Sequence, residues 1–324
     1  IPCGFAASTV QSGAATNHVI QLTVSIGSSK SQSSSTVTSS TAVGSEIAAK
    51  GDISITARGE GKEDGATQGG LSGDITVAGS RIQAGGNVDL TAADKIKLLA
   101  SRNDSASQSL NKGSSGSIGA GFNLGAGGGF SVNAAASKSQ GNSNGSDLTW
   151  SESRIEGGET VRVKSGSDTN LRGAIVEGKQ VIADVGGNLA IESLQDQSTY
   201  DSKRSNSGFS VSVPVTGGSF SGSISSGGSK IESNYKSVVE QSGFKAGDNG
   251  FLVVVGGNTD LKGGVITSTD KAVEGSKNSF NTEGALTLAN LDNKADYKGT
   301  GSSFNIGAGI SMDGKLAPGG TGAG

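Results

Sequence analysis

With 55 glycines, three prolines and no three-residue glycine period, this 324-residue chain is not collagen-like, and 4% aromatic and 32% hydrophobic residues are too few for one large compact core. The net charge of −3 gives no reason to expect nucleic-acid binding, and no apolar run is long enough for a transmembrane helix. A single cysteine, Cys3, and a single histidine, His18, exclude an internal disulfide framework and a multi-histidine metal centre, so no cofactor is expected.

The chain opens on IPCGF, without Met and without a basic segment ahead of an apolar one, and reads as part of something longer. Residues 1–43 are predicted to be part of an insert, with Ile20, Leu22, Val24 and Ile26 alternating along one strand. Residues 44–99 change character. Ile53-Ser54-Ile55, Ile75-Thr76-Val77, Val88-Asp89-Leu90 and Ile96-Lys97-Leu98 are short strands with one buried face, and Gly85-Gly86-Asn87 is a tight corner.

Residues 100–148 are a Gly/Ser-rich insert. In it Ile118, Ala120, Phe122 and Leu124 alternate with Gly and Asn, Gly127-Gly128-Gly129 follows, and Phe130, Val132, Ala134 and Ala136 alternate again. This predicts a hairpin of two strands of about 8–10 residues with one apolar face. Residues 149–194 return to short strands, such as Val161-Arg162-Val163 and Leu189-Ala190-Ile191. Residues 195–243 repeat the hairpin pattern, with Phe209, Val211, Val213 and Val215 before Gly217-Gly218 and Phe220 and Ile224 after it. Residues 244–296 are short strands once more, and residues 297–324 begin a further insert with Phe304, Ile306 and Ile310.

These blocks are copies of one unit. Ser29-Lys30-Ser31-Gln32 recurs as Ser137-Lys138-Ser139-Gln140, and the same offset carries Ile47 onto Ile155, Ile53 onto Val161 and Ile55 onto Val163. Val77-Ala78-Gly79 is echoed by Leu171-Arg172-Gly173 and Leu261-Lys262-Gly263. About three units of roughly 90–110 residues result. Short strands with Gly/Asn corners, unable to bury their own apolar side chains, predict an all-β chain: a right-handed parallel β-helix with protruding β-hairpin inserts, its narrow interior filled by Val, Ile and Leu.

Little in the sequence points to catalysis. His18 lies in a polar stretch, Cys3 lacks a histidine beside it, and Glu63-Asp64 is an adjacent acidic pair in a Gly-rich loop. Asp52, Asp74, Asp89, Asp168 and Asp184 stand where β-helical glycan-processing enzymes carry acids, but also where Asp caps corners. The glycine pairs lack the Lys-Ser/Thr of a phosphate loop. The residues that ask for a partner are those on the apolar sides of the hairpins: Ile118, Phe122, Leu124, Phe130, Val132, Phe209, Val211, Val213, Phe220 and Ile224. Either the hairpins pack on the rod or on each other as a second sheet, or these side chains face lipid, for which strand length and alternation are suited and the lack of aromatic girdles is not.

Ser-Arg-Ile-Gln-Ala-Gly-Gly-Asn-Val-Asp-Leu-Thr-Ala at 80–92 and Ser-Arg-Ile-Glu-Gly-Gly-Glu-Thr-Val at 153–161, with the Gly-rich interludes, resemble the haemagglutinin repeats of filamentous-haemagglutinin-like exoproteins, among them the contact-dependent growth inhibition effectors. The resemblance covers nearly the whole chain. It implies a long secreted filament at the surface of a Gram-negative bacterium, exported by two-partner secretion through a dedicated outer-membrane transporter. It also implies a place between receptor binding and a C-terminal toxin, and a role in contact with the target outer membrane and in toxin passage. The Val-Glu-Asn-Asn motif that precedes such toxins is absent from this chain. A passive adhesin stalk is the alternative, and a glycan-processing enzyme a lesser one. Uncapped rung edges would favour end-to-end self-association.

Overall fold

The structure is a computed structural model that describes residues 20–59, 73–124, 129–216, 219–311, 316–317 and 321–323. Cys3, His18 and Glu63-Asp64 lie outside them. The described chain is all-β apart from one short helix, Asp270–Glu274, which the sequence reading does not foresee. Two kinds of sheet alternate along it: parallel ladders of short strands and one antiparallel sheet of long ones.

The short strands form six layers. The first comprises Glu46–Ala49, Ile53–Ala57 and Ile75–Ala78, and the second Arg81–Ala84, Val88–Ala92 and Ile96–Leu99. In the third and fourth, the first two legs fuse into Ser153–Ser165 and Ala174–Val185, followed by Thr169–Arg172 and Leu189–Glu192. The fifth is Gly243–Ala246, Phe251–Val255 and Thr259–Lys262, and the sixth Val265–Thr267, Ser279–Thr282 and Leu286–Ala289. Each layer pairs in parallel with the next, so equivalent residues stack: Ile53, Val88, Val161, Val181 and Phe251 in one column, and Val77, Leu98, Leu171, Ile191, Leu261 and Leu288 in another.

This stacking is what a period-two pattern with aliphatic side chains produces when no single layer can cover its own apolar side. Val88, Leu90, Leu98, Ile155, Val161, Val163, Leu171 and Leu189 are fully buried. In the outermost layers the same columns open to solvent: Ile47 is 49% and Leu288 is 69% exposed.

Corners are held by two devices. Gly79, Gly173 and Gly263 occupy the same turn in each unit with φ of +53°, +64° and +59°, a region that disfavours side chains. A Cβ on Gly173 would also meet Leu194 Cδ1 at 2.8 Å, and one on Gly263 would meet Leu291 Cδ1 at 2.7 Å. At the other corners side chains climb from layer to layer. Asp52 Oδ1 accepts from the Asn87 amide at 2.6 Å, and Asn87 Oδ1 from the Thr160 amide at 3.1 Å. A second ladder runs from Asp168 through Asn188 and Asn258 to the Ala285 amide at 3.0, 2.9 and 2.8 Å. Among the described residues no buried side-chain polar atom lacks a partner.

Long strands leave the stack after every second layer. Ile20–Ser40 precedes the first layer, Ser101–Leu124 and Phe130–Ser151 separate the second from the third, Gln195–Thr216 and Ser219–Val238 separate the fourth from the fifth, and Lys294–Ser311 follows the sixth. The hairpin strands are 24, 22, 22 and 20 residues long, at least twice the length expected from the apolar alternation, because the Ser/Asn-rich flanks continue the pairing down to the stack. The hairpins do not stand alone. Phe130–Ser151 pairs antiparallel with Gln195–Thr216 from the next hairpin, so these six strands form one continuous sheet, edged further by Leu316–Ala317 and Thr321–Ala323.

Candidate functional site

Directly paired residues of an antiparallel sheet share a face, so the registers define which side chains lie together. Ile26, Ile118, Ala134, Val211, Gly222 and Ala308 form one rank across the sheet. The rank nearer the stack carries Ala136, Phe209, Ile224 and Ile306, and the rank nearer the tips carries Val24, Ala120, Val132 and Val213, with Phe220 opposite Ile310. Phe122 faces Phe130 at the outer end. From Phe130 to Ala136 this apolar zone runs about 20 Å along the strands.

The zone is uncovered. Ile118 is 67%, Ile224 60% and Phe209 53% exposed, and Phe122, Phe130, Val132, Val213 and Phe220 are exposed as well. Val211 is half-buried. Leu124 pairs with Ile20 at the strand end, and its side chain lies outside the described residues. All ten candidates therefore belong to one sheet; those whose side chains are described lie on its apolar side, where the registers join two hairpins that sequence alone treats separately. Val24, Ile26, Phe304, Ile306 and Ile310 extend the same surface and are exposed too.

The opposite face is small and polar at these ranks. Gly119, Ser117, Asn133, Ser210, Ser223 and Asn305 point there, and hydroxyls pair directly, Ser115 with Ser137 and Ser210 with Ser223, each at 2.7 Å. Gly27 and Gly119 sit on this side where strands run close: a Cβ on Gly119 would lie 2.8 Å from Ser25 Cβ.

Lysines were the part of this surface that sequence reasoning passed over. Lys30, Lys112, Lys138, Lys203, Lys230 and Lys298 are all exposed and all fall on the apolar side. The available signal was parity: each lies an even number of residues from the apolar positions of its own strand, such as Lys138 from Ala136 and Val132.

At the root of the second hairpin a charged cluster fastens sheet to stack. Arg154 pairs with Glu152 and Glu240, and Lys245 reaches Glu240 at 2.6 Å. The Trp150 indole N–H donates to the Gln195 carbonyl at 3.2 Å, its amide donates to Asp196 at 3.1 Å, and the Arg172 guanidinium lies 5.9 Å from the indole centroid. Burial, with Glu240 nearby, pushes the Glu152 carboxyl up; burial pushes Asp196 up. Burial opposes ionisation of Glu240, but hydrogen bonds from Lys245 and Arg154 outweigh it and hold that carboxyl below its ordinary value. Arg154 bridges the two glutamates, which is the work of a structural clamp.

The five candidate aspartates are likewise engaged. Asp52 and Asp168 cap corners, Asp74 accepts from the Lys95 amide and from Lys97, Asp89 pairs with Arg162 at 3.0 Å, and Asp184 with Lys164 at 3.0 Å. Among the described residues no group of three or more His, Cys, Asp or Glu could hold a metal ion.

A sequence profile described as "Hemagglutinin repeat" matches residues 26–207, more than half of the chain. The chain belongs to the hemagglutinin-repeat family. Its relatives include the "tRNA nuclease CdiA" of Escherichia coli (strain STEC_O31), 38% identical over 295 residues, which cover 91% of this chain and 9% of the relative. A "Toxin CdiA" of Escherichia coli is 38% identical over 95% of this chain and 10% of its own length. The "Deoxyribonuclease CdiA" of Yersinia pseudotuberculosis serotype O:3 (strain YPIII) is 36% identical over 93% of this chain and 27% of its own length. No solved structure matches the chain. This hemagglutinin-repeat chain spans about a tenth of the first two relatives, and it is a segment of a large secreted exoprotein of the Gram-negative cell surface. The nuclease activities belong to the relatives that carry those names.

Proposed function

We propose that this segment is a non-enzymatic, β-helical part of a contact-dependent toxin exoprotein, and that its antiparallel sheet associates with the target outer membrane during toxin delivery. The observation that carries the reading is the apolar zone crossing six strands on one side of a sheet whose other side is small and polar. A strand pattern apolar on the lipid side and polar on the other is that of a membrane-embedded β-sheet, and the zone's length of about 20 Å approaches the roughly 25 Å apolar band of outer-membrane barrels. Nothing in a water-soluble rod requires such a surface.

In this reading the six layers are successive turns of a right-handed parallel β-helix, the hand that parallel β crossovers take almost without exception. Each unit is a hairpin followed by two turns. The stack is the rod that spaces the hairpins, and exposed Leu286 and Leu288 at its last layer would support stacking on further repeats or on a second copy. A two-partner outer-membrane transporter is the secretion partner of the parent protein. Passive stalk function is the competing outcome. Removing residues 113–140 and 205–228 from the parent protein decides between them: loss of target-cell membrane association and toxin delivery, with secretion retained, is expected. Undiminished delivery would leave the segment a stalk.

A further inference from the structure

The lysines of the sheet are distributed in a way the apolar zone does not explain. In the long described strands of this sheet all eight lysines fall on the apolar side, Lys236 and Lys294 nearest the stack, and the opposite face holds one basic residue, Arg204. The lysines begin at the inner border of the apolar zone, where Phe304 and Leu110 are the large apolar side chains that remain among them on this face. Lys30 and Lys138 share a rank with Phe304, immediately beyond Phe209, Ile224 and Ile306; Lys112 stands in the next rank, and Lys203 opposes Lys230 in the one after. Carboxylates enter this face only at the following rank, with Asp201 and Glu232 beside Lys298. Lys230 pairs with Glu232, but among the described residues no carboxylate lies within 4.0 Å of Lys30, Lys112, Lys138 or Lys203.

Resting on the membrane reading above, we propose that this lysine row recognises the phosphate groups of an anionic lipid surface, with the adjoining apolar zone against the acyl chains. Unneutralised cations bordering an apolar surface match the boundary between acyl chains and headgroups, and lysine stems can lie over apolar groups while the ammonium reaches outward to phosphate. A second copy of the chain would cover the apolar zone but leave the lysines without counter-charge. A neutral lipid surface would do the same. Charge complementarity therefore singles out the phosphate-bearing lipid.

The test uses the full 324-residue chain and flotation with vesicles of phosphatidylcholine alone or mixed with phosphatidylglycerol. Lys203 and Arg204 are sequence neighbours of equal charge on opposite faces of one strand. Binding to phosphatidylglycerol vesicles that exceeds binding to phosphatidylcholine and weakens with salt is expected, with Lys203→Gln reducing it roughly fivefold and Arg204→Gln leaving it unchanged. Replacing Lys30, Lys112, Lys138, Lys203, Lys230 and Lys298, the six that border the apolar zone, by Gln should bring phosphatidylglycerol binding down to the phosphatidylcholine level, and as these six are exposed the fold is retained, which circular dichroism checks. Equal losses in Lys203→Gln and Arg204→Gln would overturn the proposal. Equal, salt-independent binding to both vesicles would overturn it while leaving membrane association standing, and no binding to either would remove both.

Discussion

At the scale of single residues, the stack depends on side chains that reach from one layer to the next. Asp168 is the clearest case. Its carboxylate accepts from the Asn188 amide at 3.0 Å and from the Asn188 side chain at 3.1 Å, and pairs with Lys95 at 3.1 Å. The Asn188 amide first, and then Lys95, hold its carboxyl below the ordinary value. A carboxylate depressed in the folded state adds stability above its unfolded pKa and loses that contribution as pH falls through the folded value, so this corner weakens below about pH 4. Asn188 and Asn258 do the same work with amide oxygens. Asp168→Asn should therefore retain most of the stability, and Asp168→Ala should lose about 1 kcal/mol, a partly exposed carboxylate giving less than a buried one. Urea denaturation of the two variants at pH 7 and pH 4 checks both statements, and the Ala–Asn difference should persist at both values because an amide does not titrate.

At the scale of elements, the same column position means different things in different layers. Leu171 is fully buried between Leu98 and Ile191, whereas Leu288, equivalent by register, is 69% exposed in the sixth layer. Leu171→Ala should cost about 2–5 kcal/mol through lost transfer energy and an unfilled cavity, and Leu288→Ala less than about 1 kcal/mol. Chemical denaturation that gave equal losses would contradict the stacking registers. Much of this element structure was legible in the sequence. The alternation in Val88-Asp89-Leu90 and Val161-Arg162-Val163 is a property of the strand itself, and Gly79, Gly173 and Gly263 recur because the turn between paired layers requires positive φ. The helix Asp270–Glu274 was not legible: five residues carry too little periodicity, and it is tied down by tertiary contacts, Thr269 and Lys271 both reaching Asp248, with Ala272 buried.

At the scale of the whole molecule, two architectures are interleaved. The layer stack buries its apolar columns between neighbours, while the antiparallel sheet is a single layer with solvent on both faces at its tips. Hydrogen exchange should separate them. Amides of the third and fourth layers, where Val161, Val163, Leu171 and Leu189 are fully buried, should exchange slowest, the first and sixth layers faster, and the apolar tips of the long strands fastest among paired residues. Uniform protection through stack and tips would argue that the tips are covered in solution. The sheet also ties distant parts of the chain: Phe209 sits beside Ala136 although two full layers lie between their hairpins in sequence.

The sequence by itself determined the all-β class, the repeating unit, the identity of the core aliphatics and the apolar sides of the hairpins, because each of these follows from a period of two and from glycine's conformational range, both local properties of the chain. Only the tertiary structure decided that the hairpins pair edge to edge into one sheet, that their strands run 20 to 24 residues down to the stack, and that the lysines gather beside the apolar zone. The reason is physical. Ser, Gly and Asn flanks pair through backbone hydrogen bonds that carry little side-chain signature, and the face a lysine occupies across a sheet is fixed by the register between strands, which no single strand contains.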